Sequence, residues 1–478
     1  MRRIIARITI AVTCLSILLP IALAQATPSA WAPPQPINQE CCAAYPVPIV
    51  DPWGQLHLFW ADADGYIWYA KRTGETWSQP LEVIANPGNS SAAGPDVAVD
   101  QTGKFHLIWR DGGAGGALYY SSADAQQAGN ARAWRPPTEL APQALGAAIA
   151  VGPEGVVVVA YTPFQAGESF AIITTEDGNN WSEPVLALSR LSAGFTGGSY
   201  VNLAIDAAGG LHVAWNSQVY PGGYPEHAVF YQKSLDGGLT WSDPYDPDPL
   251  PAEVAANANS NFKNKMLNVA VGPDGDVHLT WHQYTGSRFH RWSGDGGVTW
   301  SEQEPVFPDM GAAYNGVVDM AFDSGGRMHV VASRGAIWYR TWSREGGWTP
   351  PELVDATSAD WHHHRVAVVG GNQVYLFYPD INETGILWYI HKTVDAPPTV
   401  PLPTPTLGVI SAAPPSVAAA PDPIPSSTPT VNAVPLADAA RQAPPTRGDQ
   451  VVWICAVAPA LLLVGAVVVG HLMGNTRR

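Results

Sequence analysis

The sequence predicts an all-β protein: a closed, seven-bladed propeller of four-stranded blades. Three observations predict it. A strand–turn–strand phrase recurs seven times, at intervals of about fifty residues. A second phrase, Trp with Pro shortly after it, trails every copy but the last, and a stray instance stands ahead of the first copy. Between the two phrases lies a further apolar strand, so each unit offers four short strands, the content of a propeller blade. A six-bladed ring with one irregular pair merged is the rival count.

The first phrase runs through IVDPWGQLHLFW to Trp60, VAVDQTGKFHLIW to Trp109 and IAVGPEGVVVVAY to Tyr161. It returns as LAIDAAGGLHVAW to Trp215, VAVGPDGDVHLTW to Trp281, MAFDSGGRMHVVA to Ala332 and VAVVGGNQVYLFY to Tyr378. His57, His106, His212, His278 and His329 occupy one equivalent strand position. A metal site converges on one point, whereas these are spread around a ring, so they are expected to bond neighbouring strands. The intervening strands include GYIWYAK, GALYYSS, AVFYQKS and ILWYIHK, bounded by Gly/Asp-rich turns.

The second phrase is Trp77-SQP, Trp134-RPP, Trp181-SEP, Trp241-SDP, Trp348-TPP and the looser Trp300-SEQEP. The seventh copy lacks one, while Trp31-APPQPI has no copy before it. The N-terminal segment should therefore supply the last blade's outer strand, pairing Trp31 to Ile37 beside Ile386 to Lys392 and removing open sheet edges.

The turns Ser234-Leu-Asp236-Gly-Gly238-Leu-Thr240-Trp241 and Ser293-Gly-Asp295-Gly-Gly297-Val-Thr299-Trp300 both read Ser-x-Asp-x-Gly-x-Thr-Trp. A weaker copy aligns Glu176 at the acidic position, in Thr174-Thr-Glu176-Asp-Gly178-Asn-Asn180-Trp181. The Asp carboxylate accepts backbone N–H bonds in its own turn, Gly permits φ > 0, and Trp packs between sheets. This pattern resembles the Asp-box (BNR) repeat of sialidases and their relatives. The resemblance implies a propeller whose boxes are structural and sit away from the active face, so Ser234, Asp236, Gly238, Trp241, Ser293, Asp295, Gly297 and Trp300 are expected to be fold determinants.

Strand order puts the strand-two-to-three turns and the blade-to-blade loops on one face, opposite the Asp-box turns. That face is the expected ligand mouth. Its ligand-binding candidates are Arg110, Arg334 and Arg365, guanidinium donors able to grip a carboxylate, with Trp361, Tyr220, His282 and His363. Adjacent His362, His363 and His364 alternate in direction along a strand, and no metal is expected. The resemblance implies three arginines clamping a substrate carboxylate, a Tyr–Glu nucleophile pair and an Asp acid/base. Asp62, Asp111, Glu226 and Tyr375 are the weak catalytic candidates on that reading. The family's early Phe/Tyr-Arg-Ile-Pro motif is missing, and Tyr45-Pro-Val-Pro-Ile stands in the corresponding region.

The ends carry a different message. Arg2, Arg3 and Arg7, an apolar run from Ile8 to Leu23, and Ala24-Gln25-Ala26 read as a secretory signal over 1–26. Residues 394–450 are Pro-, Ala-, Ser- and Thr-rich, and read as a disordered stalk after a propeller domain spanning 27–393. Residues 451–473 contain no Asp, Glu, Lys or Arg and are long enough for a membrane span, with Arg477 and Arg478 in a short cytoplasmic tail at 474–478. The body would then sit at the cell surface as a single-pass type I protein. Only Cys41 and Cys42 fall in the body, so no disulfide scaffold holds it. A net charge of −16 excludes a nucleic-acid partner.

These readings define a surface module that recognises a glycan, polymer or protein through the mouth. The alternatives are a sialidase-type glycoside hydrolase and a structural propeller docking to an envelope protein. No cofactor is implied, and the sequence leaves the oligomeric state open.

Overall fold

The structure is a computed structural model that describes residues 30–38, 44–88, 91–112, 115–164, 169–187, 195–219, 226–249, 264–283, 288–308, 318–333, 336–355, 364–379 and 385–404. All of these fall in the compact unit that ends at Thr406. The signal, the span and the tail expected at 1–26, 451–473 and 474–478 lie outside the described residues. No helix among the described residues is long and apolar enough to cross a membrane.

Seven antiparallel sheets form seven blades, which settles the count against six. The first strands, in chain order, are Ala44–Val50, Ala92–Val99, Ala144–Val151, Phe195–Ile205, Asn264–Val271, Asp319–Phe322 and Arg365–Val369. Each of these strands contacts the first strand of the next blade, and the seventh returns to the first. They are thus the innermost strands of a closed ring. Second and third strands stack outward from them. The fourth strand is short or split in most blades, and in blade 4 it shrinks to a single Tyr231–Tyr245 bridge.

Closure is made as the stray Trp phrase predicts. Gln35 and Pro36 pair with Tyr389 and Trp388 as the outer strand of blade 7. The Ala32 N–H donates to His391 O, the Ile37 N–H to Leu387 O, and the Leu387 N–H to Asn38 Oδ1 at 2.6 Å. Lys392 Nζ, bonded to Glu352 at 2.7 Å, sits 4.4 Å from the Trp31 ring centroid.

The phrase's seven tryptophans have one job. Trp31, Trp77, Trp134, Trp181, Trp241, Trp300 and Trp348 each meet a ring of the preceding blade edge-on: Tyr339, Tyr389, Phe59, Tyr120, Phe170, Tyr231 and His290 respectively. Centroids lie 4.9–5.7 Å apart, with planes inclined 70–88°. Such pairs add about 0.5–1.5 kcal/mol each beyond the area they bury. Trp31 belongs to this series as fully as any tryptophan inside the repeat.

The repeated histidines form a second series. In blades 1, 2, 4 and 6 the ring Nδ1 meets a third-strand tyrosine hydroxyl: His57–Tyr69 and His106–Tyr120 at 2.8 Å, His212–Tyr231 at 2.7 Å, His329–Tyr339 at 2.5 Å. Nε2 meets the turn carboxylates of Asp51, Asp100, Asp206 and Asp323 at 3.1–3.4 Å. Burial holds His57, His212 and His329 below the ordinary histidine range, in opposition to the adjacent carboxylates. Blade 5 has Gly272 in place of the Asp, and His278 instead pairs with His290 at 3.0 Å. Four copies spread around a ring, each sealed from solvent, tie strands together.

The two full Ser-x-Asp turns behave as self-contained caps. Asp236 Oδ1 accepts from the Thr240 N–H at 2.9 Å and Oδ2 from its hydroxyl at 2.6 Å, while Ser234 Oγ accepts from the Gly238 N–H. Asp295 repeats this with Thr299, and Ser293 with the Gly297 N–H. These bonds, led by the threonine hydroxyl, hold the Asp236 carboxyl down to about 2. In blade 3 the sequence alignment placed Glu176 at the acidic position, and the structure corrects it. Asp177 accepts from the Asn179 and Asn180 N–H groups, and Thr175 takes the serine role. The turn is one residue shorter, which shifts the carboxylate by one place.

Gly297 is required twice over. Its φ is +85°, and a Cβ there would lie 2.1 Å from the Tyr231 hydroxyl of blade 4. Gly297→Ala should therefore cost about 2–4 kcal/mol, combining a disfavoured backbone with overpacking. Chemical unfolding of the variant measures it. Gly275→Ala is the control, because φ is +86° there with nothing near the added Cβ. It should cost clearly less.

The body extends past the expected boundary at 393. The Val394 N–H donates to Asn372 O, the Thr399 N–H to Gly370 O and the Leu402 N–H to Pro52 O, and Ser324 Oγ bonds Pro397 O. Residues 394–404 thus cross the first-to-second-strand turns of blades 6, 7 and 1. The stretch assigned to the stalk from 394 is in its first eleven residues part of the ring's underside, because proline-rich backbone still offers carbonyls and an occasional N–H to exposed turns. The remainder of the expected stalk lies outside the described residues.

Candidate functional site

The inner strands read Asp96-VAVD, Asn202-LAID, Asn268-VAVG, Asp319-MAFD and Arg365-VAVV, with Val47 and Ala148 heading the other two. Those seven heads are equivalent by register and form one ring around the axis. All seven line a central cavity of about 350 Å³, together with Tyr45, Gly94, Arg110 and Tyr200. It opens on the face opposite the Asp-box turns.

Local backbone irregularity shapes the cavity wall. In blades 1 to 5 the inner strand slips register just before its ring position. Bulges of this kind re-aim side chains at functional rims. Within two of them, Tyr45 and Gly94 have φ of +57° and +55°. Tyr45 is the one non-glycine residue with positive φ among the described residues, a conformation that persists only where the surroundings enforce it.

The polar ring residues also join blades in pairs. Asp96 Oδ2 accepts from the Ile149 N–H at 3.0 Å, Asn202 Oδ1 from the Val269 N–H at 3.3 Å, and Asp319 Oδ2 from the Val366 N–H at 2.7 Å. Each bond crosses from one blade to the next. Burial pushes the Asp96 carboxyl up to about 6, with its two backbone donors and the Arg365 charge opposing. Asp319 is likewise raised by burial, against the pull of Arg365.

Arg110 comes from the end of Lys104–Asp111, and its Nη2 lies 3.7 Å from where a Gly94 Cβ would stand. Burial lowers its pKa, with Tyr45 and Tyr200 opposing, and it stays a cation at neutral pH. No hydrogen bond or ion pair to the Arg110 guanidinium is made among the described residues. Among the described residues Arg365 Nη1 bonds only its neighbour's carbonyl, His364 O, at 3.0 Å. Two guanidinium groups facing one cavity with donor capacity to spare suit an anionic or polyhydroxyl ligand.

Of the residues singled out from the sequence, Arg110 and Arg365 therefore meet at the mouth. Arg334, Trp361, His363 and Tyr220 lie outside the described residues, as does the Glu226 side chain. His282 is buried on the second strand of blade 5, away from the cavity lining. Tyr375 is also buried; its hydroxyl donates to Gln373 and its ring lies under Arg72, so it sits between blades 7 and 1. The Asp62 carboxylate accepts from the Asp64 and Tyr66 N–H groups and the Trp68 indole, which makes it a turn cap on the outer flank. Asp111 accepts from Asn86 Nδ2 at 2.7 Å and lies outside the cavity lining. Sequence reasoning missed Asp96, Asn202, Asn268 and Asp319. Their signal was present: a polar residue heading an apolar phrase four residues before its turn. Among the described residues no group of His, Cys, Asp and Glu could hold a metal ion.

The chain is thus a seven-bladed propeller whose axial cavity is lined by the equivalent inner-strand residue of every blade. No family profile and no curated protein matches the sequence. Solved propellers do. A lectin from Burkholderia pseudomallei, BP39L, aligns at TM-score 0.56 and 14% identity over 76% of this chain and 99% of the lectin. A polysaccharide lyase, the PL25 ulvan lyase bound to -[GlcA(1-4)Rha3S]-, aligns at 0.52 and 12% over 74% of this chain and 95% of the lyase. The NanB sialidase of Streptococcus pneumoniae aligns at 0.45 and 13%, over 76% of this chain and 71% of the sialidase. The likenesses to the lectin and the lyase establish the propeller fold.

Proposed function

We propose that the chain is an exported, membrane-anchored Asp-box propeller that displays a glycan-binding mouth at the cell surface. The observation that carries the reading is the meeting of Arg110 and Arg365 on one axial cavity with Tyr45, Tyr200, Asn202 and Asn268. Guanidinium forks favour carboxylate or sulfate groups, tyrosine faces favour sugar rings, and amide side chains favour hydroxyls. Two of the solved propellers of this fold are described as a lectin and a polysaccharide lyase, which makes acidic glycans the first ligands to test. The signal at 1–26 and the apolar run at 451–473 support the location. Binding is favoured over hydrolysis because Tyr375 and Asp62, two of the weak catalytic candidates, are committed elsewhere in the fold.

The pH response tests the reading. Asp96 ionises near pH 6 inside the cavity. Above that pH its charge opposes an anionic ligand; below it the repulsion is gone and the arginines remain charged. Affinity for an acidic oligosaccharide should therefore rise about three- to tenfold between pH 7.5 and 5.5, since one unit of coupled shift is worth about 1.4 kcal/mol. Asp96→Asn should flatten the profile while keeping an oxygen for the Ile149 N–H. Isothermal titration at the two pH values reads both. Affinity that falls on acidification, or a profile unchanged by Asp96→Asn, counts against an anion in this cavity.

A further inference from the structure

A second cavity lies away from the mouth. A cleft of about 800 Å³ runs along the seam where the ring closes, between the N-terminal strand of blade 7 and the outer strands of blade 1. We infer that this seam cleft is a second carbohydrate site, with a charge preference opposite to that of the mouth: it takes neutral or amine-bearing sugars and rejects acidic ones.

Three properties of the wall carry the inference. The first is flat apolar surface. Trp68 and Trp77, both partly exposed, line it, and the buried Trp60 stacks beside Trp68 with planes 8° from parallel. Indole faces are where the C–H faces of sugar rings and cationic groups settle. Trp68 is held in place by its indole bond to Asp62 at 2.7 Å, so the platform is preorganised. The second is hydrogen-bonding capacity, from Gln35, Thr76, Ser78 and Gln79. The third is charge. Asp62, Asp64, Glu75 and Glu82 line the cleft, Glu75 being paired with Arg72 at 2.9 Å, and among the described residues no Lys or Arg lines it. Asp64, Glu75 and Glu82 are exposed, which places their carboxylates on the rim. An acidic sugar meets repulsion there; a protonated amine meets attraction.

The cleft also depends on the way the chain closes. Gln35, Pro36, Ile37 and Asn38 come from the far end of the domain sequence relative to Leu387–Thr393, and only their pairing puts this wall opposite blade 1. Among the described residues no other blade is completed by a strand from the far end of the domain sequence.

The test uses the full chain and two probes, a trimer of glucosamine and a trimer of galacturonic acid. Wild type should bind the glucosamine trimer, more weakly at high salt. Asp64→Lys/Glu82→Lys should weaken that binding at least tenfold and leave the galacturonate trimer unaffected. Trp68→Ala should weaken it too, with the thermal midpoint recorded to show that the fold persists. Glu154→Lys, exposed on blade 3 and remote from the seam, controls for the protein's overall negative charge. No binding by folded wild type overturns the proposal. So does an equal loss in Glu154→Lys, which marks diffuse attraction only. Loss of glucosamine-trimer binding in Arg110→Ala/Arg365→Lys, with the seam variants unaffected, overturns it as well by assigning both sugars to the mouth.

Discussion

Trp31→Ala should destabilise the domain about as much as Trp241→Ala, although one residue lies near the chain's start and the other inside the repeat. Core Trp→Ala changes cost about 3–5 kcal/mol, and a half-buried tryptophan falls toward the lower end. Both residues meet an aromatic ring of the preceding blade edge-on, at 5.1 Å for Trp31 and 4.9 Å for Trp241. Trp31 additionally holds the Lys392 ammonium over its ring. Its loss leaves that ammonium with Glu352 and Tyr339 alone. Removing residues 30–38 altogether should do far more. It exposes the edge of Leu387–Thr393 and the buried side chain of Ile37's neighbours, and an open edge of this kind templates aggregation. Thermal unfolding of the two single variants, with light scattering for the truncation, reads these outcomes. A silent Trp31→Ala beside a costly Trp241→Ala would mean that the N-terminal strand is a bystander to the ring.

The second large effect concerns ligand binding. Arg110→Ala and Arg365→Lys should each weaken an acidic oligosaccharide about tenfold or more, because a charged hydrogen bond is worth about 1.5–3 kcal/mol. Lysine at 365 keeps the charge that offsets Asp96 and Asp319 but loses the two-pronged geometry. The double variant should bind more weakly than either single variant, still measurably at high ligand concentration. Because both groups face one cavity, their effects should also be non-additive, and the coupling energy of the double-mutant cycle reports it. Strict additivity would place them on separate ligands.

The ring was legible in the sequence because its determinants repeat. Four histidines and seven tryptophans are each reused in the same role, and Trp31 was conspicuous because its phrase lacked a partner. The mouth was half legible. Arg110 and Arg365 stood on segments that strand order assigns to one face, and both reach the cavity. Asp96, Asn202, Asn268 and Asp319 were overlooked because each heads a phrase that reads as purely apolar. Their importance comes from register across seven blades, which a single phrase does not display. Asp62 and Tyr375 were attractive as isolated residue types. Asp62 caps its own turn and Tyr375 fills the space under Arg72, and neither engagement has a sequence signature. The Glu176 alignment failed for a related reason: one residue deleted from the turn leaves the motif readable while moving its carboxylate to Asp177.

Diffraction from crystals of the protein soaked with a galacturonic acid trimer tests the central claim most directly. The account predicts a sugar carboxylate in the axial cavity, bonded to Arg110 and Arg365 and flanked by Tyr45 and Tyr200. An empty axial cavity with the acidic trimer bound elsewhere on the propeller, at a concentration that saturates binding in solution, would contradict it.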